Sequence, residues 1–430
     1  MHPIVRGSLC LLLLPCTCAY SQSPETLKEF GTASLESVLG NAQFFRQARM
    51  QDVPVIGKLM GTDLLSKIRQ AQKILADESI RALSRGRDAQ DLALAVLDAH
   101  GDIHVVRARK NKDDLTVEKD PAFDCELKLR RANGYNSDIQ CVRPEGCKVL
   151  ALKYPLHGTQ QWVYTPYSPE LALPEVIAYG LGTLRRLRAE AYDRLRERRV
   201  VSASYPDGDP SCAPQCLAAD VVPPDISAAL MLNEHINPGE FTSADKTEFL
   251  VGKALVVLAA NEERAWSASH SKAGASGMMQ FMPKTYAQIV RAYPAARLEP
   301  DYAKGTADPV NALMAQVLLC DRNWHALRKL GYDISADDVG PYLAAAYNGG
   351  TTRVLSLLKD PEQMRWMENP TLDAVPTRSV VRVIRKKATR HAKAKRTSVR
   401  SVRNIFVPET AKYIIQYDWL DEYLQKKLDP

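Results

Sequence analysis

The chain has 430 residues, 57 Lys and Arg against 50 Asp and Glu, a formal net charge of +7 and a hydrophobic fraction of 45%. At roughly 100–200 residues per domain, this length predicts two or three domains. The composition excludes a wholly disordered chain, a collagen-like repeat and a multi-span membrane protein. The charge is uneven, because residues 378–403 contain eleven Lys and Arg and no Asp or Glu, which leaves the remainder mildly acidic.

The N-terminus has the pattern of a secretory signal peptide. Arg6 precedes a short apolar run, Leu9 to Leu14, which is far below the roughly 18–20 residues that span a bilayer as a helix. The small-residue pattern Ala19-Tyr20-Ser21 then offers a cleavage point, so we expect an exported protein. Lipid attachment at Cys16 or Cys18 is the weaker alternative, since neither follows the small Ala or Gly that lipidation expects.

Export changes how the cysteines are interpreted, because an oxidising compartment permits disulfides. Cys212 and Cys216 are close enough in sequence to form a small ring, and Cys320 lies in an apolar helical run typical of a buried free thiol. No C-x-x-C pair is present, which disfavours a zinc ribbon. Six cysteines follow the signal and allow fifteen pairings, so the connectivity stays open. They are Cys125, Cys141, Cys147, Cys212, Cys216 and Cys320.

The periodicity of apolar residues predicts a mixed N-terminal half. Residues 24–97 show mostly helical spacing, whereas residues 102–164 approach period two, with a turn at Asn133-Gly134 between strands. Residues 184–200 return to a helical pattern with one apolar stripe and a basic, solvated face. Five prolines in residues 203–226 disfavour regular structure and mark the best domain boundary.

Two adjacent carboxylates follow an apolar helical run in the C-terminal half. The run from Val251 to Ala260 ends just before Glu262 and Glu263. Desolvation beside an apolar surface raises the pKa of a carboxyl group, which allows it to act as a general acid near neutral pH. Taken alone this is weak evidence, because a Glu at a helix end is usually a solvated or capping residue.

Four motifs in a fixed order strengthen the catalytic interpretation. They are Gly274-Ala275-Ser276-Gly277-Met278-Met279-Gln280 with Met282-Pro283, Asp308-Pro309-Val310-Asn311, Ala346-Tyr347-Asn348-Gly349-Gly350, and Pro408-Glu409-Thr410 with Tyr413. Together they resemble the lysozyme-like catalytic domain of the soluble lytic transglycosylases, which cleave the glycan strands of peptidoglycan. The resemblance covers roughly residues 227–430 and gives no information on the first half.

The resemblance implies a single catalytic Glu. Counting back twelve residues from Gly274 gives Glu262, and Ser271 then falls nine residues after it, as in the family pattern. The family Ser that should follow the acid is replaced by Glu263, and Trp266 comes one position late. Anchoring on Trp266 instead selects Glu263. Because the spacings from Gly274 and Ser271 both select Glu262, Glu262 is the predicted acid and Glu263 is the rival.

The resemblance also implies which residues contact the glycan, and one of these has a competing interpretation. Met279 is expected near substrate by resemblance, although core packing is the favoured interpretation of an apolar residue here. We expect a hydrogen-bonding role for the short polar groups, stacking or hydrogen bonding for the tyrosine, and a second, non-nucleophilic carboxylate along the cleft. The predicted substrate-binding residues are Ser271, Met279, Gln280, Tyr347, Asn348 and Glu409.

These observations predict an α+β, mainly α fold, with a lysozyme-like helical catalytic domain preceded by a mixed α/β N-terminal domain. The expected divisions are a signal peptide at 1–21, an N-terminal domain of unknown role at 22–205, a Pro-rich linker at 206–226 and a lytic transglycosylase domain at 227–430 with a basic insertion at 378–403. No metal or organic cofactor is expected.

The predicted activity is cleavage of the MurNAc-GlcNAc bond with formation of 1,6-anhydro-MurNAc, in the bacterial periplasm or cell envelope. A catalytically inactive peptidoglycan-binding module and a hydrolytic muramidase are the alternatives. The basic insertion is either a flexible, solvated segment or a contact with an anionic envelope surface. Nucleic acid is not an expected partner, because the insertion has no aromatic residue for base stacking.

Overall fold

A computed structural model describes residues 62–80, 90–156, 161–205, 215–352, 377–385, 396–404 and 408–428, with a few single positions between 354 and 371. The predicted signal peptide and the first 40 residues after it lie outside this part of the chain. Within it, no helix has both the length and the apolar character needed to cross a membrane. Helices outnumber strands, as expected for an α+β, mainly α protein.

The helices bury apolar residues in one large core and in a second, smaller cluster that includes Leu327 and Ile414. The longest of them, α2, buries the predicted stripe of Leu184, Leu187, Ala191 and Leu195, which confirms that part of the sequence pattern. The helices are α1 (Thr62–Asp77), α2 (Pro174–Glu197), α3 (Ala218–Val221), α4 (Pro224–His235), α5 (Thr247–Asn261), α6 (Pro283–Ala292), α7 (Tyr302–Ala307), α8 (Pro309–Arg328), α9 (Gly340–Gly349) and α10 (Pro408–Leu428).

The strands form one antiparallel sheet and two hairpins. The sheet has the order β3-β2-β1-β6-β7, and α1 packs against its β1 and β6 strands. The β4-β5 hairpin turns at Asn133-Gly134, as predicted, with Gly134 at a φ of 57°. The strands are β1 (Gln90–Leu97), β2 (Ile103–Lys110), β3 (Leu115–Val117), β4 (Glu126–Arg131), β5 (Asp138–Arg143), β6 (Lys148–Pro155), β7 (Gln161–Tyr164), β8 (Thr377–Arg385) and β9 (Arg396–Asn404).

The helical prediction for residues 24–97 is wrong over its last eight residues. Gln90–Leu97 forms β1, the central strand of the sheet, and Leu92 to Val96 are buried on both faces. A strand covered on both faces has a continuous apolar run instead of the alternation that marks a half-exposed strand. Its run of Leu and Ala therefore has no period that distinguishes it from a helix.

The two halves of the chain meet along α2 and α5. Gly180 in α2 allows close approach, since a Cβ built there would lie 2.0 Å from the Leu255 carbonyl oxygen in α5. The buried core continues without a break from Leu65 to Leu424 among the described residues. The N-terminal sheet is thus held against the helical half by packing across the predicted boundary.

The cysteines separate into bonded and free groups. Cys216 is disulfide-bonded, while Cys212 lies outside the described residues. Cys320 is a buried free thiol, as predicted. Cys125, Cys141 and Cys147 are also buried and free, so no disulfide joins these three described residues.

The basic segment 378–403 has regular backbone structure. β8 and β9 pair in antiparallel register from Thr377 with Asn404 to Arg385 with Arg396. The insertion therefore contains a paired hairpin, and residues 386–395 lie outside the described part. Both strands are rich in β-branched Val, Ile and Thr, which favour strand conformation.

Candidate active site

A cleft of about 1040 Å³ lies between strands of the N-terminal half and the helical C-terminal half. One wall is formed by the β4-β5 turn, residues 131–136, and by the facing part of β6 and β7, including Tyr154 and Trp162. The other wall comes from the end of α4, the 267–271 loop and Gln280. Tyr135 and Ser269 link the walls through a 2.9 Å hydroxyl-hydroxyl hydrogen bond.

The glycine-rich motif forms a tight turn on this wall. Ser276 and Phe281 exchange backbone hydrogen bonds of 3.0 and 3.1 Å, and Gln280 caps the turn with a bond from its Nε2 to the Gly277 carbonyl of 2.8 Å. Gly277 has a φ of 76°, and a Cβ there would lie 1.9 Å from the Thr306 carbonyl oxygen. Only glycine fits this backbone.

Two predicted substrate-binding residues line the cleft, Ser271 and Gln280. The Ser271 hydroxyl accepts a 2.9 Å hydrogen bond from the Ala275 amide, so it is already oriented by the motif. Met279 does not line the cleft: its side chain is fully buried, which agrees with the core-packing interpretation. Its carbonyl instead accepts a 2.5 Å hydrogen bond from the Tyr347 hydroxyl.

The described polar residues of the later motifs form a helix cap and hydrogen bonds within the helical half of the chain. Asp308 caps the N-terminus of α8, and the buried Asn311 bonds the Tyr286 hydroxyl at 2.7 Å. The Thr410 hydroxyl donates a 2.8 Å hydrogen bond to the exposed Asn348, which ties α10 to α9. Glu409 is the second residue of α10, and its side chain lies outside the described part.

Glu262, the predicted acid, has its carboxylate outside the cleft lining. Its Oε1 accepts hydrogen bonds from Tyr179 Oη at 2.6 Å and from Arg69 Nη2 at 2.8 Å. Partial burial raises the pKa of Glu262, but these two hydrogen bonds, with the charges of Arg69 and Arg186, outweigh burial and the pKa lies below its ordinary value. The group is therefore held in the ionised form, on the side of α5 that faces α1 and α2.

Glu263 also turns toward the N-terminal half. It is half exposed and forms an ion pair with Arg186 of α2. Neither of the adjacent carboxylates is among the residues that line the cleft. Trp266, the other anchor of the family pattern, is buried and stacks on His235 with ring centroids 4.0 Å apart.

Comparison with known proteins identifies part of the helical half. Residues 241–365 match the family model of the transglycosylase SLT domain. The match confirms the resemblance predicted from the motifs, in the C-terminal half of the chain. No curated protein and no solved structure matches the chain. The SLT domain match includes the glycine-rich, Asp-Pro and Ala-Tyr-Asn motifs, whereas α4 precedes it and α10 follows it.

One residue of the cleft was missed by the sequence interpretation. Glu234, at the end of α4, is the only Asp or Glu among the described residues that line the cleft. A signal for it does exist, because the apolar run from Ile226 to Leu232 ends just before this Glu, as the later run does before Glu262. The family spacing, counted back from Gly274, selected Glu262 instead of Glu234.

Proposed function

We propose that this protein is a peptidoglycan lytic transglycosylase of the bacterial periplasm or cell envelope. The observation that carries the proposal is the position of the SLT motif residues: Ser271 and Gln280 line a cleft of about 1040 Å³, at the upper end of the range of about 300–1,000 Å³ that is usual for ligand pockets. Such a cleft has room for several sugar rings and for hydrogen bonds to acetamido and hydroxyl groups.

The proposed reaction needs one acid-base group. Ordinary glycoside hydrolases use two carboxylates, one as acid and one as base or nucleophile. In a lytic transglycosylase, one carboxyl group protonates the leaving glycosidic oxygen and then, as carboxylate, accepts the proton of the sugar 6-hydroxyl. That oxygen closes on the anomeric carbon, so the product is 1,6-anhydro-MurNAc and water is not consumed. The described residues contain no group of three or more His, Cys, Asp or Glu placed to hold a metal ion.

Product analysis tests this proposal. We expect digestion of purified peptidoglycan to release muropeptides that are lighter than the hydrolytic products by one water molecule and that resist reduction by borohydride. The anhydro end has no hemiacetal to reduce, which gives the second readout. Reducible muramic acid ends would instead establish a hydrolytic muramidase, and wall binding without any released product would establish an inactive binding module.

The basic hairpin is proposed to hold the enzyme on anionic wall material. Arg378 faces Arg403 and Arg385 faces Arg396 in the β8-β9 register, and like charges opposite each other are unfavourable unless an anion or solvent offsets them. Exposed charges are screened beyond about 8 Å at physiological ionic strength, so this attachment should weaken with salt.

A charge-removal variant measures the contribution of the hairpin. Changing these four arginines to Gln should lower co-sedimentation with purified peptidoglycan at low salt and have no effect at high salt. The matched control changes the same four to Lys, which keeps the charge and should keep binding. Equal binding by the Gln variant at low salt would contradict the role.

A further inference from the structure

Glu234 is an acidic residue that lines the cleft. It lies at the last turn of α4, with its side chain partly accessible from the cleft and otherwise surrounded by protein. No other Asp or Glu lines the cleft within the described residues. A residue that protonates a leaving oxygen must reach that oxygen directly, so Glu234 is the one candidate that the described part of the chain offers.

Tyrosines from two other helices interact with this carboxyl group. Tyr413 of α10 donates a 2.7 Å hydrogen bond to Glu234 Oε1, and the backbone of Tyr413 is fixed in turn by a 3.0 Å bond from Asn233 Nδ2. Tyr347 of α9 lies close enough that the Glu234 charge raises the pKa of its hydroxyl, after burial as the larger cause. Two of the four sequence motifs, those that contain Tyr347 and Tyr413, therefore converge on Glu234.

The end of α4 is also fixed to the glycine-rich motif. His235 stacks on Trp266, with an interplanar angle of 4°, and its Nε2 bonds the Met278 carbonyl oxygen at 2.6 Å. Burial lowers the pKa of His235 to about 3, so the imidazole is neutral and carries its proton on Nε2, the atom that donates to the carbonyl. This arrangement holds the neighbouring Glu234 at a defined place beside the motif.

The protonation of Glu234 suits an acid that later acts as a base. Burial raises its pKa to about 7, although the hydrogen bond from Tyr413 lowers it. A group with this pKa has substantial amounts of both forms near neutral pH, which favours proton transfer in both directions. The hydrogen bonds to Glu262 have the opposite effect and keep that carboxylate ionised.

We propose that Glu234, seven residues before the SLT match begins, is the acid-base residue of the cleft. Glu262 and Glu263 instead bind side chains of α1 and α2 and so help to hold the N-terminal half against α5. The assignment rests on the proposed lytic function. In the first step the Glu234 carboxyl proton goes to the glycosidic oxygen as the C1–O bond breaks. In the second step the carboxylate takes the proton of the 6-hydroxyl as the O6–C1 bond forms, which restores the acid.

The test compares three isosteric variants on purified peptidoglycan. Glu234→Gln should reduce the rate of anhydro-muropeptide release at least about 100-fold, the usual lower bound for loss of a general acid. Gln keeps an oxygen that accepts from Tyr413, so thermal unfolding and peptidoglycan co-sedimentation should stay close to wild type. Glu263→Gln, which removes only a half-exposed ion pair, is the matched control and should remain within about threefold of wild type.

Glu262→Gln separates the two assignments. If it retains most of the activity while Glu234→Gln loses it, Glu234 is the acid. If Glu262→Gln abolishes release with its fold intact and Glu234→Gln does not, the proposal for Glu234 is overturned and the lytic function stands. A wild-type protein that releases no product from peptidoglycan would overturn the lytic function and, with it, the role of Glu234.

Discussion

Replacing Gly180 by Ala should destabilise the protein by about 3 kcal/mol, because overpacking at a rigid contact typically costs about 1–3 kcal/mol and this contact leaves no room. The added Cβ would lie 2.0 Å from the Leu255 carbonyl oxygen and 2.7 Å from its carbon, both backbone atoms that cannot rotate away. Helices α2 and α5 would have to separate, and this interface joins the N-terminal half to the helical half. Urea denaturation followed by circular dichroism measures the loss.

Gly252, in the partner helix, provides a matched control. A Cβ there would meet Ile177 Cδ1 at 3.5 Å, an ordinary van der Waals distance. Gly252→Ala should therefore be neutral or stabilise by up to about 1 kcal/mol, the helix propensity difference between Gly and Ala. Equal unfolding midpoints for the two variants would show that the α2-α5 distance adjusts freely, contrary to the close packing described above.

The fold was predictable where burial was one-sided. The α2 stripe that includes Leu184 and Leu195 repeats every three or four residues, so its pattern identified both the helix and its buried face. The β1 strand could not be separated from a helix, because burial on both sides of the sheet removes the alternation that a strand would otherwise show. Packing between distant segments, which decides such cases, has no local sequence signal.

The basic segment illustrates a different limit. Its eleven positive charges allowed a solvated insertion as one interpretation, yet the β-branched Val, Ile and Thr of Thr377–Arg385 and Arg396–Asn404 were the better indicator of structure. Net charge describes solvation and partners but not local conformation.

The candidate site was predictable in its motifs and not in its acid. The turn of the glycine-rich motif requires a residue without a Cβ at Gly277. This requirement is local, so the sequence itself shows it. The carboxylate is different, since any apolar helix that ends in Glu satisfies the local requirement, and both α4 and α5 do so. Which of Glu234 and Glu262 faces the cleft depends on how the two helices pack, and the spacing from Gly274 contains no information on that.

The pH dependence of cleavage should report the titration of Glu234. An acid must be protonated to donate, so we expect kcat/KM to be flat below the Glu234 pKa, about 7, and to fall about tenfold per pH unit above it. The groups around it are Tyr413 from α10, Tyr347 from α9 and, on its own helix, His235, which stays neutral in this range. Tyr413→Phe removes a hydrogen bond that stabilises the carboxylate, so the fall should move to higher pH. If kcat/KM of Tyr413→Phe falls at the same pH as that of wild type, the pH profile does not report the titration of Glu234.

The same titration acts on folding, with a sign that can be checked independently of catalysis. Because the folded-state pKa of Glu234 lies above its ordinary value of 4.5, the protonated form is favoured by folding. Its stabilising contribution is fully present below about pH 4.5 and is lost as the pH rises through about 7. The free energy of unfolding of wild type should therefore fall across this interval relative to that of Glu234→Gln, whose amide does not titrate. A constant difference between the two proteins over the same interval would mean that the carboxyl group of Glu234 is as well solvated in the folded protein as in the unfolded chain. A carboxyl group so solvated would be ionised at neutral pH and unable to donate a proton.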